Sequence, residues 1–138
     1  MHPTRFPFRL GHRSRPILRL FGVRDADDAY ARLDAETFTA RFGHFEVTTP
    51  VSNVMSWRIE GPWRWITAIG VRRSIRHGDL TFGGSHHGGV RIDFREPVTV
   101  ARFHPTALYV TVEDLEGLAS ALRERGIPGE DARRRPHA

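Results

Sequence analysis

The chain has 138 residues, with 21 basic and 16 acidic side chains and a formal charge of +5; that length suits one domain able to bury a real core. It contains no cysteine and no lysine, which excludes disulfides, thiolate chemistry, Schiff-base catalysis and a P-loop lysine. No apolar run nears the roughly 20 residues that span a bilayer or the roughly 7–15 of a signal-peptide core, so the expectation is a cytoplasmic protein, neither secreted nor membrane-spanning.

The charge is unevenly placed. Residues 1–24 carry Arg5, Arg9, Arg13, Arg15, Arg19 and Arg24 without one acid, whereas over 25–128 acids slightly outnumber arginines. Phosphate-tracking grooves need basic charge clustered on the fold itself, so nucleic acid ranks low as a partner. The leading segment interleaves Phe6 and Phe8 with Arg5 and Arg9. Two readings follow: an arm packing Phe6, Phe8, Leu10 and Leu18 onto the domain with its arginines outward, or a contact with an anionic surface through Arg5, Arg9, Arg13, Arg15 and Arg19.

From residue 25 the pattern is mostly period-2 alternation. Ala29, Ala31 and Leu33 mark a first strand, although 25–38 also fits an amphipathic helix. Phe38, Ala40 and Phe42 mark a second; Gly43-His44 then turns into Phe45, Val47, Thr49 and Val51 as a hairpin. After a break at Ser52-Asn53, Met55, Trp57 and Ile59 share one face, with Ser56, Arg58 and Glu60 on the other. Gly61-Pro62 ends that strand, and Trp63-Arg64-Trp65 begins a helical turn that Gly70 stops. Val71, Arg73 and Ile75, then Leu80 and Phe82, resume alternation. A four-glycine loop, 83–89, leads to Val90, Ile92 and Phe94, and Leu108, Val110 and Val112 make the last strand.

One helix is plain: Leu115, Leu118, Ala119 and Leu122 form a single apolar stripe. Asp114 sits at its N-cap, Gly126 at C′, and Pro128 forbids continuation. The expectation is a mainly β (α+β) fold of about seven short antiparallel strands capped by a C-terminal helix over about 113–125. Residues 1–24 form an arginine-rich N-terminal segment, 25–128 a single β-rich domain, and 129–138 a disordered tail.

The motifs Thr49-Pro50-Val51-Ser52-Asn53-Val54, Gly61-Pro62-Trp63-Arg64-Trp65, Asp79-Leu80-Thr81-Phe82 and Gly89-Val90-Arg91-Ile92-Asp93-Phe94-Arg95-Glu96-Pro97-Val98 resemble those of a group of uncharacterised actinobacterial proteins. The closing stretch from Val110 to Leu118 is similar to the last strand and helix of bacterial pleckstrin-homology-like domains. That second resemblance implies a seven-strand sandwich or partly open barrel capped by a helix. Neither resemblance supplies catalytic residues.

Candidate sites are few. His86-His87 is the most metal-like feature, but adjacent strand residues face opposite ways, so it reads as an exposed loop, and no metal or cofactor is expected. Trp63, Arg64 and Trp65, with Arg91 and Arg95, form the candidate ligand or partner surface; an exposed tryptophan patch there would also suit a homodimer. Arg91, Asp93 and Arg95 make a polar row on one strand, and Arg72, Arg73 and Arg76 a second cluster. No serine lies in a nucleophile elbow, and no glycine-rich loop follows a βαβ pattern. The sequence therefore points to a non-enzymatic binding or interaction module, peripheral to anionic membranes or bound to a protein. The alternatives are a small β-barrel binding or transforming an apolar small molecule, and weak nucleic-acid binding through the basic arms.

Overall fold

Alternating apolar residues over 29–50 build three antiparallel strands in a computed structural model of the chain, which describes residues 4–10, 15–25, 27–61, 70–74, 79–83 and 88–133. These are β2 (Ala29–Leu33), β3 (Thr37–Phe42) and β4 (Phe45–Pro50). Ala29, Ala31, Leu33, Phe38, Ala40, Phe42, Val47 and Thr49 point inward and are buried, as period-2 patterning requires. Asp34 turns β2 into β3: its Oδ1 accepts the amides of Glu36 and Thr37 at 3.0 and 2.7 Å. Those amide bonds, with a smaller pull from Arg32 and Arg125, hold its carboxyl below the usual carboxylate range. Gly43, at φ +62°, makes the tight turn between β3 and β4.

The leading segment supplies a fourth strand to this sheet. β1 (Thr4–Pro7) pairs antiparallel with β2, giving the order β1-β2-β3-β4. Phe6, Phe8 and Leu18, the last on the short helix α1 (Arg15–Leu20), are all buried.

The second sheet has the order β10-β5-β8-β9-β7-β6. Its strands are β5 (Val54–Glu60), β6 (Gly70–Ser74), β7 (Asp79–Gly83), β8 (Gly89–Phe94), β9 (Ala107–Val110) and β10 (Gly129–Asp131). Most neighbours are antiparallel, but β7 pairs with β9 and β10 with β5 in parallel. β1 joins the two sheets: Phe8 bridges Val112, and the amides of Arg9 and Glu113 donate to Thr111 and Pro7 carbonyls at 2.9 and 2.8 Å. The sheets do not close into a barrel. Between them the Phe42 ring stacks on Phe82 at 5.7 Å and packs against Phe8 at 5.6 Å.

Helix α2 (Leu115–Glu124) packs against β5 and β8 through Leu118, Ala119 and Leu122. Asp114 caps it, accepting the Gly117 amide at 2.9 Å. Gly126 adopts φ +78° at its end, and the Ile127 amide returns to the Leu122 carbonyl at 3.2 Å, as the C-terminal signals predict.

The mainly β class with one main helix is as expected, but three details differ. The strand count exceeds seven: the described residues of 25–128 hold eight strands, and both segments assigned outside the domain contribute one more each, β1 and β10. The tail from 129 is ordered through Arg133, which bonds Glu116 of α2 at 2.7 Å; residues 134–138 lie outside the description. Residues 29–33 are strand, as their alternation predicts, and the helical alternative for 25–38 fails. Met55 does not share the Trp57 face: the β5–β8 register shifts between Val54 and Ser56, and this bulge turns Val54 inward and leaves Met55 44% exposed.

Candidate functional site

The antiparallel register of β5 with β8, and of β8 with β9, sets Arg58 opposite Arg91 and Arg91 opposite Tyr109 on the outer face of the larger sheet. Arg91 Nη1 donates to the Tyr109 hydroxyl at 2.9 Å, and Arg91 Nε to Asp93 Oδ1 at 3.1 Å. The hydroxyl in turn donates to Glu60 Oε1 at 3.1 Å, while the second Glu60 oxygen accepts from Arg58 at 3.2 Å. Arg58 also pairs with Glu130 of β10 at 3.5 Å, and Ser56 Oγ donates to Asp93 Oδ2 at 3.4 Å. Seven side chains from four strands thus form one continuous polar network.

Its electrostatics favour a fixed charge state. Burial pushes the Tyr109 hydroxyl above its ordinary value, and the Glu60 charge adds to this against the pull of Arg91. Burial works against the Arg91 charge, yet hydrogen bonding and attraction from Tyr109 and Asp93 raise its affinity for the proton overall. Near neutral pH the phenol therefore keeps its proton and the Arg91 guanidinium its charge. The cluster braces the outer face of the sheet.

The predicted row is only partly assembled. Arg91 and Asp93 meet, but β8 ends at Phe94, and Arg95 turns away to donate from Nε to the Ser52 carbonyl at 3.1 Å. Trp63, Arg64 and Trp65 lie outside the described residues, as do His86, His87 and Arg76; the side chains of Arg72 and Arg73 are likewise not described. Among the described residues no group of three or more histidines or carboxylates is placed to hold a metal. Sequence reading missed Tyr109 as the partner of Arg91 and Glu60 as the acceptor beyond it, because cross-strand register is invisible along the chain.

The basic leading segment distributes its arginines differently. Arg5 pairs with Asp27 at 3.3 Å, and its guanidinium lies 4.2 Å from the Tyr30 ring centroid. Arg9 and Arg19 are exposed and form no ion pair among the described residues. Leu20, beside Arg19, is 81% exposed. Arg13 is not described, and of Arg15 only its place at the start of α1 is. An open groove of about 690 Å³ lies elsewhere, at the ends of β3 and β4, lined by Ala35, Thr37, Thr48, Pro50, Val51 and Ser52 among others; its lining surface is more apolar than polar and includes no tryptophan. No helix among the described residues is long and apolar enough to cross a membrane. Comparison of the chain with protein-family models, curated proteins and solved structures finds no match.

Proposed function

We propose that the chain is a non-enzymatic binding module of pleckstrin-homology-like architecture that docks peripherally on anionic membrane surfaces through its leading segment. The observation that carries this reading is the exposure of Arg9, Arg19 and Leu20 on the leading segment. Two exposed guanidiniums lack carboxylate partners among the described residues, and an 81% exposed leucine stands beside one of them. Basic residues near an anionic leaflet each contribute about 1 kcal/mol, and an apolar side chain entering the headgroup layer adds to that. The two sheets with a C-terminal helix are compatible with the proposed architecture, although the parallel β7–β9 pairing adds a crossover to the simple antiparallel order expected.

The test is co-sedimentation of the full chain with phosphatidylserine-containing and neutral phosphatidylcholine vesicles at low and physiological salt. Removing the segment is not a usable control, because β1 and Leu18 belong to the fold. Surface substitutions serve instead: R9E/R19E should weaken binding by about 2 kcal/mol or more, and Leu20→Gln should weaken it further. Salt-sensitive binding to anionic vesicles alone is the expected result. A folded chain that ignores anionic vesicles, or binds both kinds equally, refutes the proposal.

A further inference from the structure

Both sheets carry the same unfavourable device, two arginines directly opposite one another on neighbouring strands. Like charges at such positions destabilise a sheet. In the larger sheet the pair is Arg58 and Arg91, and the protein itself neutralises it: Glu60, Glu130 and Asp93 all lie within ion-pair distance. In the smaller sheet the pair is Arg5 and Arg32. There Arg5 has Asp27, but Arg32 forms no ion pair or side-chain hydrogen bond among the described residues. Arg41, one strand over and opposite Tyr30, donates from Nε to the Gly43 carbonyl at 3.2 Å and meets no carboxylate within ion-pair distance. The acids nearest these arginines form no ion pair with them, although the Asp34 charge attracts Arg32 and Glu46 stands opposite Arg41 on the same face. Asp34 is held by the amides of Glu36 and Thr37, and Glu46, the register partner of Arg41, forms no ion pair with it.

We infer that the outer face of the smaller sheet, with Arg32 and Arg41 at its centre and the Thr39 and Thr48 hydroxyls in the Arg32 row, is the surface that lies against the phosphates of an anionic lipid leaflet. The inference rests on the membrane reading above and adds a second contact area to it. Guanidiniums outside internal ion pairs bind phosphate as paired N–H donors, and an external anion offsets the part of the Arg5–Arg32 repulsion that Asp27 and Asp34 leave. Lipid phosphate suits this face better than nucleic acid. Its one aromatic ring, Tyr30, is already covered by the Arg5 guanidinium and offers no platform for stacking bases.

The experiment compares the full chain with R32E/R41E, R9E/R19E and R58Q on vesicles with and without phosphatidylserine, each variant first checked for a cooperative melt. R32E/R41E should bind anionic vesicles at least about 30-fold more weakly, whereas R58Q, on the neutralised face, should bind like the parent chain. R32T, which removes the like charge without adding an acid, should melt higher than the parent and still bind more weakly. If the parent binds and R9E/R19E weakens it while R32E/R41E does not, this inference falls and the membrane reading stands. If the parent binds no vesicles, both fall. If the parent prefers duplex DNA to vesicles and R32E/R41E abolishes that preference, the face is real but the lipid assignment is overturned.

Discussion

Trp57 is where the C-terminal tail is tied to the sheet, and its replacement by phenylalanine tests that tie quantitatively. The residue is 2% exposed. Its indole Nε1 donates to the Ile127 carbonyl at 3.0 Å, and its amide to the Pro128 carbonyl at 3.1 Å. Gly129 of β10 lies so close to the indole that a Cβ there would overlap the ring, and the Arg123 guanidinium sits 5.3 Å from its centroid. Phenylalanine removes the Nε1 donor, about 1 kcal/mol, and leaves a gap where the second ring was, costing about 1–2 kcal/mol more. Urea unfolding should report a loss of about 2–3 kcal/mol, and thermal melts a midpoint lower by about 7–10 °C. Gly129→Ala attacks the same contact from the other side. The buried indole cannot retreat, so β10 must lift, and hydrogen exchange should accelerate at the Trp57 amide and at the Ala132 amide, which donates to the Ile59 carbonyl at 2.9 Å. A W57F chain within about 0.5 kcal/mol of the parent, together with unchanged exchange in G129A, would mean the tail does not depend on this contact.

Two further changes probe separate parts of the fold. Ala101 adopts φ +53° in the turn that bridges Val100 to Phe103. An L-residue there is strained by roughly 1–2 kcal/mol, part of which glycine returns to unfolded-state entropy, so Ala101→Gly should stabilise by about 0.5 kcal/mol; a lower denaturation midpoint would contradict the assignment. Tyr109 is one of two tyrosines, and its folded-state affinity for the proton is raised by burial and by Glu60. In a Tyr30→Phe background its phenolate absorbance should appear only above the ordinary value of about 10. Because the raised group binds its proton more tightly folded than unfolded, its contribution to stability is complete below about pH 10 and is lost as pH rises through the folded value. Tyr109→Phe should flatten that alkaline fall, and an unchanged slope would show that the hydroxyl is not coupled to folding.

Most of the strands were legible because burial and alternation coincide in them. Phe38, Ala40 and Phe42, or Val90, Ile92 and Phe94, are buried in the pattern their spacing predicts. The helix was legible twice over, from its stripe and from both caps. β1 and β10 were not, for opposite reasons. β1 hides Phe6 among arginines whose charge dominates the local composition, and β10 contains no apolar residue, since it is held by backbone pairing and by Arg58 and Arg133. Met55 was misread because a bulge leaves no mark in a sequence until the partner strand is known. The site was less legible still. Arg91 and Asp93 sit two apart and could be paired on paper, but Tyr109, Glu60 and Glu130 reach them only through the register of three other strands.

Charge counting along the chain located the basic excess in residues 1–24, yet the fold gives that excess a different meaning. β1 delivers Arg5 into the small sheet opposite Arg32, so part of the leading segment's charge becomes a feature of a sheet face. What separates the two faces is then the placement of acids rather than of arginines. The larger sheet meets its opposed guanidiniums with carboxylates one strand position away or on the adjoining edge, and its network closes on itself. The smaller sheet surrounds Arg32 and Arg41 with threonines, a tyrosine, a backbone carbonyl and Glu46, none of them in an ion pair with either guanidinium. A face built only for stability gains from the first arrangement and loses from the second, since each uncompensated like-charge contact is a standing cost. Neutralising Arg32 should therefore stabilise the protein wherever binding is not demanded of it, and that opposition between stability and binding is the measurable signature of a surface kept for a partner.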